Sequence, residues 1–172
     1  MAVPVKDSVR SGDPVQEPQP RERPVRGYAT LTGLFLTLVA SFSAWIRASG
    51  RELPEKVSPG DLALVAIATH KASRLIAKER VTSAVRAPFT EVEPDPRAPR
   101  PKFRERARGE GVRRAVGELV LCPYCLSVWI ATAFAGGLVV APRPTRFIAG
   151  ILTTVFGSDV LQIAYKKAED SL

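Results

Sequence analysis

The stretch 28-YATLTGLFLTLVASFSAWI-46 decides the fold class. It runs for 19 residues without a charged side chain. As a helix rising about 1.5 Å per residue it covers about 28 Å, close to the thickness of bilayer hydrocarbon. Tyr28 and Trp45 stand near its two ends, where amphipathic rings prefer the interface. Arg26 and Arg47 bracket it. A buried helix of a soluble protein is rarely so uniformly apolar, so the stretch reads as a membrane span.

Working outward, the rest of the chain alternates in the same way. Apolar residues make up 45% of it and charged residues 24%, and the two kinds are segregated. Residues 119–141 carry no charge, and residues 147–165 carry only Asp159. Both read as spans. Within the last, Ala149, Thr153 and Gly157 recur every four positions, a spacing that lets helices approach closely in lipid. The stretch 58-SPGDLALVAIATHKASRLIAKE-79 opens with Ser58 as N-cap, Pro59 at the first helical position and Asp61 completing a capping box. Its apolar part ends at His70, Lys71 and Arg74. A Lys or Arg at the bilayer centre costs about 2.5–3.5 kcal/mol on insertion scales, less near a helix end where the side chain reaches water. Helix 59–78 therefore either spans or dips in part-way.

The remaining segments are basic and rich in proline. Residues 1–26 hold too little apolar surface to offset the entropy of ordering and read as a disordered tail. The connection 79–118 includes 87-APFTEVEPDPRAPRPKF-103, whose five prolines forbid regular helix. After it, residues 103–119 read either as a helix lying on the membrane surface or as a solvated basic loop. Residues 168–172 form a short C-terminal tail. A net charge of +8 suits nucleic acid or anionic lipid. No finger, aromatic-studded sheet or helix-turn-helix accompanies it, so no nucleic-acid partner is expected. The partner expected is membrane lipid, with anionic headgroups at the basic connection.

The expected fold is all-α: a small polytopic membrane bundle with spans near 28–46, 59–78, 119–141 and 147–165. The alternative is three spans plus a half-inserted helix. Charge sets the sidedness. With four spans, the five Lys and Arg of the N-terminal tail, the eleven of residues 78–118 and the pair Lys166 and Lys167 at the end of the last span share one side. Only three in residues 47–57 and two in residues 142–146 lie opposite. The positive-inside rule then places both termini in the cytoplasm of a multi-pass inner-membrane protein. The Ala, Arg and Pro usage points to a bacterium.

Counted back from the inner helix ends, the polar groups gather in one layer. His70 lies about 10 Å deep, Arg74 about 5 Å, Asp159 about 9 Å, and Cys122 and Cys125 about 5 and 9 Å. Glu118 stands at the boundary. Ionisable groups in lipid turn inward and pair, so Asp159 is expected to meet Arg74 or Lys71. Cys122 and Cys125 form a Cys-x-x-Cys at a helix start, where backbone N–H groups favour a thiolate. This spacing fits a structural pair or a redox dithiol. With His70 it also supplies three ligands for a zinc or iron site. No cofactor is otherwise expected, and no residue is assigned a catalytic role. A thioredoxin-like enzyme would need a strand before and a sheet around the motif, and no sheet is legible.

Two blocks carry a resemblance. The stretches 69-THKASRLIAKERVTSAVRAPFTE-91 and 117-GELVLCPYCLSVWIAT-132 resemble the signature blocks of the bacterial domain-of-unknown-function family 1360. The matching positions are His70, Lys71, Ser73, Arg74, Lys78, Arg86, Pro88, Phe89, Glu118, Cys122, Pro123 and Cys125. Glu79 stands where the family more often has Asp. The resemblance implies a small multi-span membrane protein, a class in which some members are labelled sporulation proteins. It also implies that the thiols and the Arg86, Pro88, Phe89 element act together. It supplies no reaction. The first functional reading is thus a non-catalytic membrane protein with a basic cytoplasmic connection. The second is a membrane-embedded thiol or metal protein using Cys122, Cys125 and His70.

Overall fold

The computed structural model describes residues 24–94 and 103–171. Most of the proline-rich tail, and residues 95–102 of the proline-dense connection, lie outside the described residues. Helix α1 (Val25–Ala48) is followed by α2 (Pro59–Lys78), a 3-10 turn (Arg80–Thr82) and the single turn α3 (Ser83–Arg86). Strands β1 (Thr90–Pro94) and β2 (Phe103–Ala107) precede α4 (Gly111–Leu121), α5 (Pro123–Val140) and α6 (Pro142–Glu169). The class is all-α with one small antiparallel hairpin, in which Thr90 pairs with Ala107 and Pro94 with Phe103.

Proline sets three of the helix starts. The residue before a proline is driven out of the helical region, while the proline ring fits the first turn. Ser58, Cys122 and Ala141 are each non-helical, and Pro59, Pro123 and Pro142 each begin a helix. This corrects the expected continuous span 119–141. Residues 119–121 close α4, and the chain breaks at Cys122 before the apolar helix begins. The capping box expected at Ser58 does not form, because Ser58 makes no side-chain cap and Asp61 is held elsewhere by Arg146. Residues 103–119 are neither one surface helix nor a loop. Gly109 and Gly111 take φ of 78° and 56°, a conformation open to glycine, and turn the chain from β2 into α4.

Among the described residues, three helices are long and apolar enough to cross a membrane: α1, α5 and α6. Their 24, 18 and 28 residues give lengths of about 36, 27 and 42 Å. Hydroxyls within them return to their own backbone, as apolar surroundings demand. Thr37 donates to the Gly33 carbonyl, Ser43 to Val39, Thr132 to Val128 and Thr154 to Gly150. Helix α2 is not among the three, because Lys71, Arg74 and Lys78 dilute its apolar character.

Yet α2 is the hub of the bundle, packing most extensively on α5 and α6. Small side chains make that possible: Ala68, Ala77 and Ala149 are fully buried, and the Thr153 hydroxyl donates to the Leu64 carbonyl of α2 at 3.3 Å. Pairings fix the directions. Asp61 meets Arg146 and Lys71 meets Asp159, so α2 and α6 run parallel. Phe35 meets Trp129 edge-on at 5.1 Å, and Phe42 packs over Gly136, so α1 and α5 run parallel. The end of α2 faces the start of α5, so those two are antiparallel. One end of the bundle therefore gathers the start of α1, the end of α2, the start of α5 and the end of α6. Residues 79–121, as far as they are described, fold into a cap on that end.

Candidate functional site

The cap is built around Arg86. Its side chain is 3% exposed, and every part of the guanidinium is occupied. Nε and Nη2 donate to the two carboxylate oxygens of Glu105, both at 2.7 Å. Nη1 donates to the Ile76 and Glu79 carbonyls and to the Thr82 hydroxyl, at 2.6, 3.0 and 2.8 Å. A helix leaves its last carbonyls without partners, and a cation placed there both bonds them and suits the dipole. Arg86 thereby closes α2 and ties it to β2. The fork-to-fork hydrogen bonds raise the Arg86 pKa and hold the Glu105 carboxyl below the usual carboxylate range. Pro88 and Phe89 serve through their backbones. The Pro88 carbonyl accepts from Arg113 at 2.7 Å, and the Phe89 carbonyl accepts the Arg108 N–H at 2.8 Å. A Cβ at Gly117 would lie 2.4 Å from the Phe89 oxygen, so only glycine lets α4 sit this close.

A second cluster lies between α2 and α6. Lys71, 6% exposed, donates to Asp159 at 2.6 Å, and Glu79 stands 3.9 Å from the same ammonium. His70 packs edge-on against Phe156 at 5.4 Å. Arg74 joins these residues in lining a cavity of about 660 Å³. The polar residues of α2 thus meet α6, with Lys71 rather than Arg74 bonded to Asp159.

The third cluster is at the break between α4 and α5. Cys122 and Cys125 are joined in a disulfide, their Cα atoms 5.3 Å apart. Cys122 is the N-cap of α5, and its sulfur accepts the Cys125 N–H at 3.2 Å. Glu118, one turn earlier, accepts from Arg114 at 2.9 Å and from the Tyr28 hydroxyl of α1. Two cavities meet at this point. One, of about 880 Å³, lies beneath the hairpin and is walled by Glu93, Arg104, Arg106 and Arg114. The other, of about 480 Å³, lies between α1, α4 and α5 and is walled by Leu31, Phe35, Leu119, Val128 and Trp129. Glu118 and Cys122 line both, whereas Cys125 and Tyr28 line only the apolar one.

The residues singled out in the sequence therefore fall into three groups. Arg86, Pro88 and Phe89 organise the cap. His70, Lys71, Arg74 and Asp159 share one cavity. Glu118, Cys122 and Cys125 share another place. His70 does not join the two cysteines: it packs on Phe156 of α6 and lines a small cavity with Pro123 and Tyr124, whereas the cysteines line the cavities beside α1 and α4. Among the described residues no three His, Cys, Asp or Glu side chains come together to hold a metal ion. Sequence reasoning missed Glu105, Thr82 and Tyr28. The partners of Glu105 and Tyr28 lie 19 and 90 positions away, beyond any local pattern, whereas Thr82 stands four residues before Arg86, a spacing that could have shown it.

The family model described as "Protein of unknown function (DUF1360)" matches residues 64–165, which include all three groups. The chain belongs to that family. No curated protein and no solved structure matches it.

Proposed function

Starting from membership in a family that carries a fold and no stated reaction, we propose that this chain is a multi-pass protein of the cytoplasmic membrane. In it, the Cys122, Cys125 pair cycles between dithiol and disulfide. One observation carries this reading: the pair is joined at the first turn of a span-length helix, and Cys122 opens onto a cavity walled by charged side chains. A bond closing so short a loop contributes about 2 kcal/mol by loop entropy, against about 3 for a fifteen-residue loop. Stabilising the fold is thus a weak reason for it. In a reducing compartment such bonds are mostly transient and either catalytic or sensing.

The cytoplasmic placement has its own support. The parallel and antiparallel pairings bring the start of α1, the end of α6 and the cap to one end, as four crossings require. Among the described residues, that same end carries most of the Lys and Arg. Helix α2 is then the fourth span, with Lys71 drawn inward against Asp159 of α6. A reporter fused after residue 52 reads outside on this topology; cytoplasmic activity there overturns it. The redox reading is tested by equilibrating the protein in glutathione buffers of graded poise and counting alkylated thiols. A single two-thiol transition is expected, absent in Cys122→Ser and Cys125→Ser. A pair locked in one state across all buffers defeats the reading.

A second role has a specific observation behind it. Arg80, Arg104 and Arg108 are exposed on the cap and place positive charge at the same end. That suits anionic headgroups, at about 1 kcal/mol per charge near the surface. Adding anionic lipid to detergent-solubilised protein is expected to raise its unfolding temperature more than zwitterionic lipid does, and an equal rise removes this role.

A further inference from the structure

The two cavities at the Cys122, Cys125 pair differ in kind, and the difference has chemical content. A disulfide couple exchanges two electrons at a time with a partner that can reach it. On the polar side, beneath the arginine-bearing hairpin, a water-soluble thiol can reach Cys122. On the other side, the space is lined by Leu31, Phe35, Val128 and Trp129 and bounded by two apolar helices few of whose residues are fully buried. Nothing water-soluble and charged is stable there. A carrier dissolved in lipid is.

Resting on the thiol-redox reading above, we infer that the apolar cavity is the site of a lipid-soluble, two-electron carrier of the quinone class. Its electron donor is the Cys122, Cys125 dithiol. The aromatic lining suits a flat ring, since aromatic faces and edges attract one another beyond simple burial. Tyr28 and Glu118 add a polar element at one wall. The Tyr28 hydroxyl donates to Glu118, whose other oxygen is held by Arg114 on the polar side. Glu118 itself lines both cavities, so its carboxylate can pass a proton from one to the other while Arg114 holds it in place.

The step balances. Two S–H bonds break and one S–S bond forms between Cys122 and Cys125. Two electrons and two protons pass to the quinone, whose two carbonyl oxygens become hydroxyls. The pair is oxidised and the quinone reduced to quinol. The disulfide is then returned to dithiol from the polar side by a soluble dithiol. One of its thiolates attacks the sulfur of Cys122 and its second thiol releases the mixed disulfide. The soluble donor leaves as a disulfide.

The test uses full-length protein in lipid nanodiscs, reduced and freed of reductant under anaerobic conditions. Decylubiquinone is the probe, because its fully substituted ring does not add thiols. Trp45→Phe leaves Trp129 as the sole tryptophan, since the chain holds two. Saturable quenching of Trp129 fluorescence is expected, together with loss of two thiols and formation of one quinol per protein. Val128→Phe and Leu31→Phe each add bulk to the cavity without adding a tryptophan. Each is expected to weaken quenching and slow quinol formation at least tenfold, and having two variants guards against one that misfolds. Thiol titration in glutathione buffers runs in parallel. If the wild-type pair cycles there but neither binds nor reduces decylubiquinone, the quinone site is wrong and the thiol reading stands. If quenching occurs without thiol loss, and is matched by an alkyl chain of the same length, the cavity is a lipid groove and the inference falls. A pair that does not cycle in glutathione overturns both.

Discussion

Arg86 and Cys122 are both helix-end residues, and both lie in blocks shared with the family, but their surroundings are opposite. Arg86 is enclosed, and its guanidinium is bonded to three elements at once. Cys122 sits at a break, with a cavity on either side and a single backbone N–H donating to its sulfur. A buried charge with all its partners is a poor place for chemistry, because any change in it uncovers an uncompensated ion. A sulfur flanked by space is a poor structural element and a good reactive one. The contrast sets Arg86 to holding the cap and leaves Cys122 accessible, as the proposed thiol chemistry needs.

The contrast can be broken most sharply at Arg86. Arg86→Ala strands the Glu105 carboxylate and unbonds the end of α2, and a loss of about 3–5 kcal/mol is expected from denaturant unfolding in detergent. A loss under 1 kcal/mol would mean that the cap does not depend on this residue. Asp159→Asn removes the partner of buried Lys71, with an expected loss of about 1.5–3 kcal/mol. An unchanged midpoint would place Lys71 on Glu79 instead. Gly117→Ala forces a methyl against the Phe89 carbonyl and Ala107, and overpacking of this kind costs about 1–3 kcal/mol. Cys122→Ser with Cys125→Ser is expected to cost about 2 kcal/mol at most, while abolishing the glutathione-dependent transition. A larger loss would move the cysteines to the structural side of the comparison.

Acid supplies a graded form of the first test. Glu105 is held below its ordinary pKa chiefly by the hydrogen bonds from Arg86. A depressed carboxyl contributes stability that is complete above its unfolded value of about 4.3 and is lost as pH falls through the folded value. The cap is therefore expected to loosen below about pH 4, read by hydrogen exchange at Arg108 and in β2. Glu105→Gln should remove that acid step. If both proteins loosen alike, another carboxylate is responsible.

Much of the fold was legible along the chain. Residues 28–46 and 147–165 became the cores of α1 and α6, and 59–78 became α2 as read. The third span begins at Pro123 rather than at 119, because the proline drives Cys122 out of the helical region and residues 119–121 close α4 instead. The cap was not legible at all. Residues 103–119 contain both a strand and a helix, and the strand exists only because β1 pairs with it. Of the site, the sequence yielded Cys122, Cys125 and Glu118 but neither cavity.

What the sequence determined by itself was local: which helices are long and apolar, and where proline starts them. Those properties follow from side-chain chemistry and backbone sterics within a few residues, so they are written in order along the chain. What only the tertiary structure decided was partnership. Glu105 belongs to Arg86, Asp61 to Arg146 rather than to its own helix end, Tyr28 to Glu118, and His70 to Phe156 rather than to the cysteines. Such pairings depend on which helix faces are brought together across 19 to 90 positions. Packing selects those faces, and no stretch of sequence carries that choice alone.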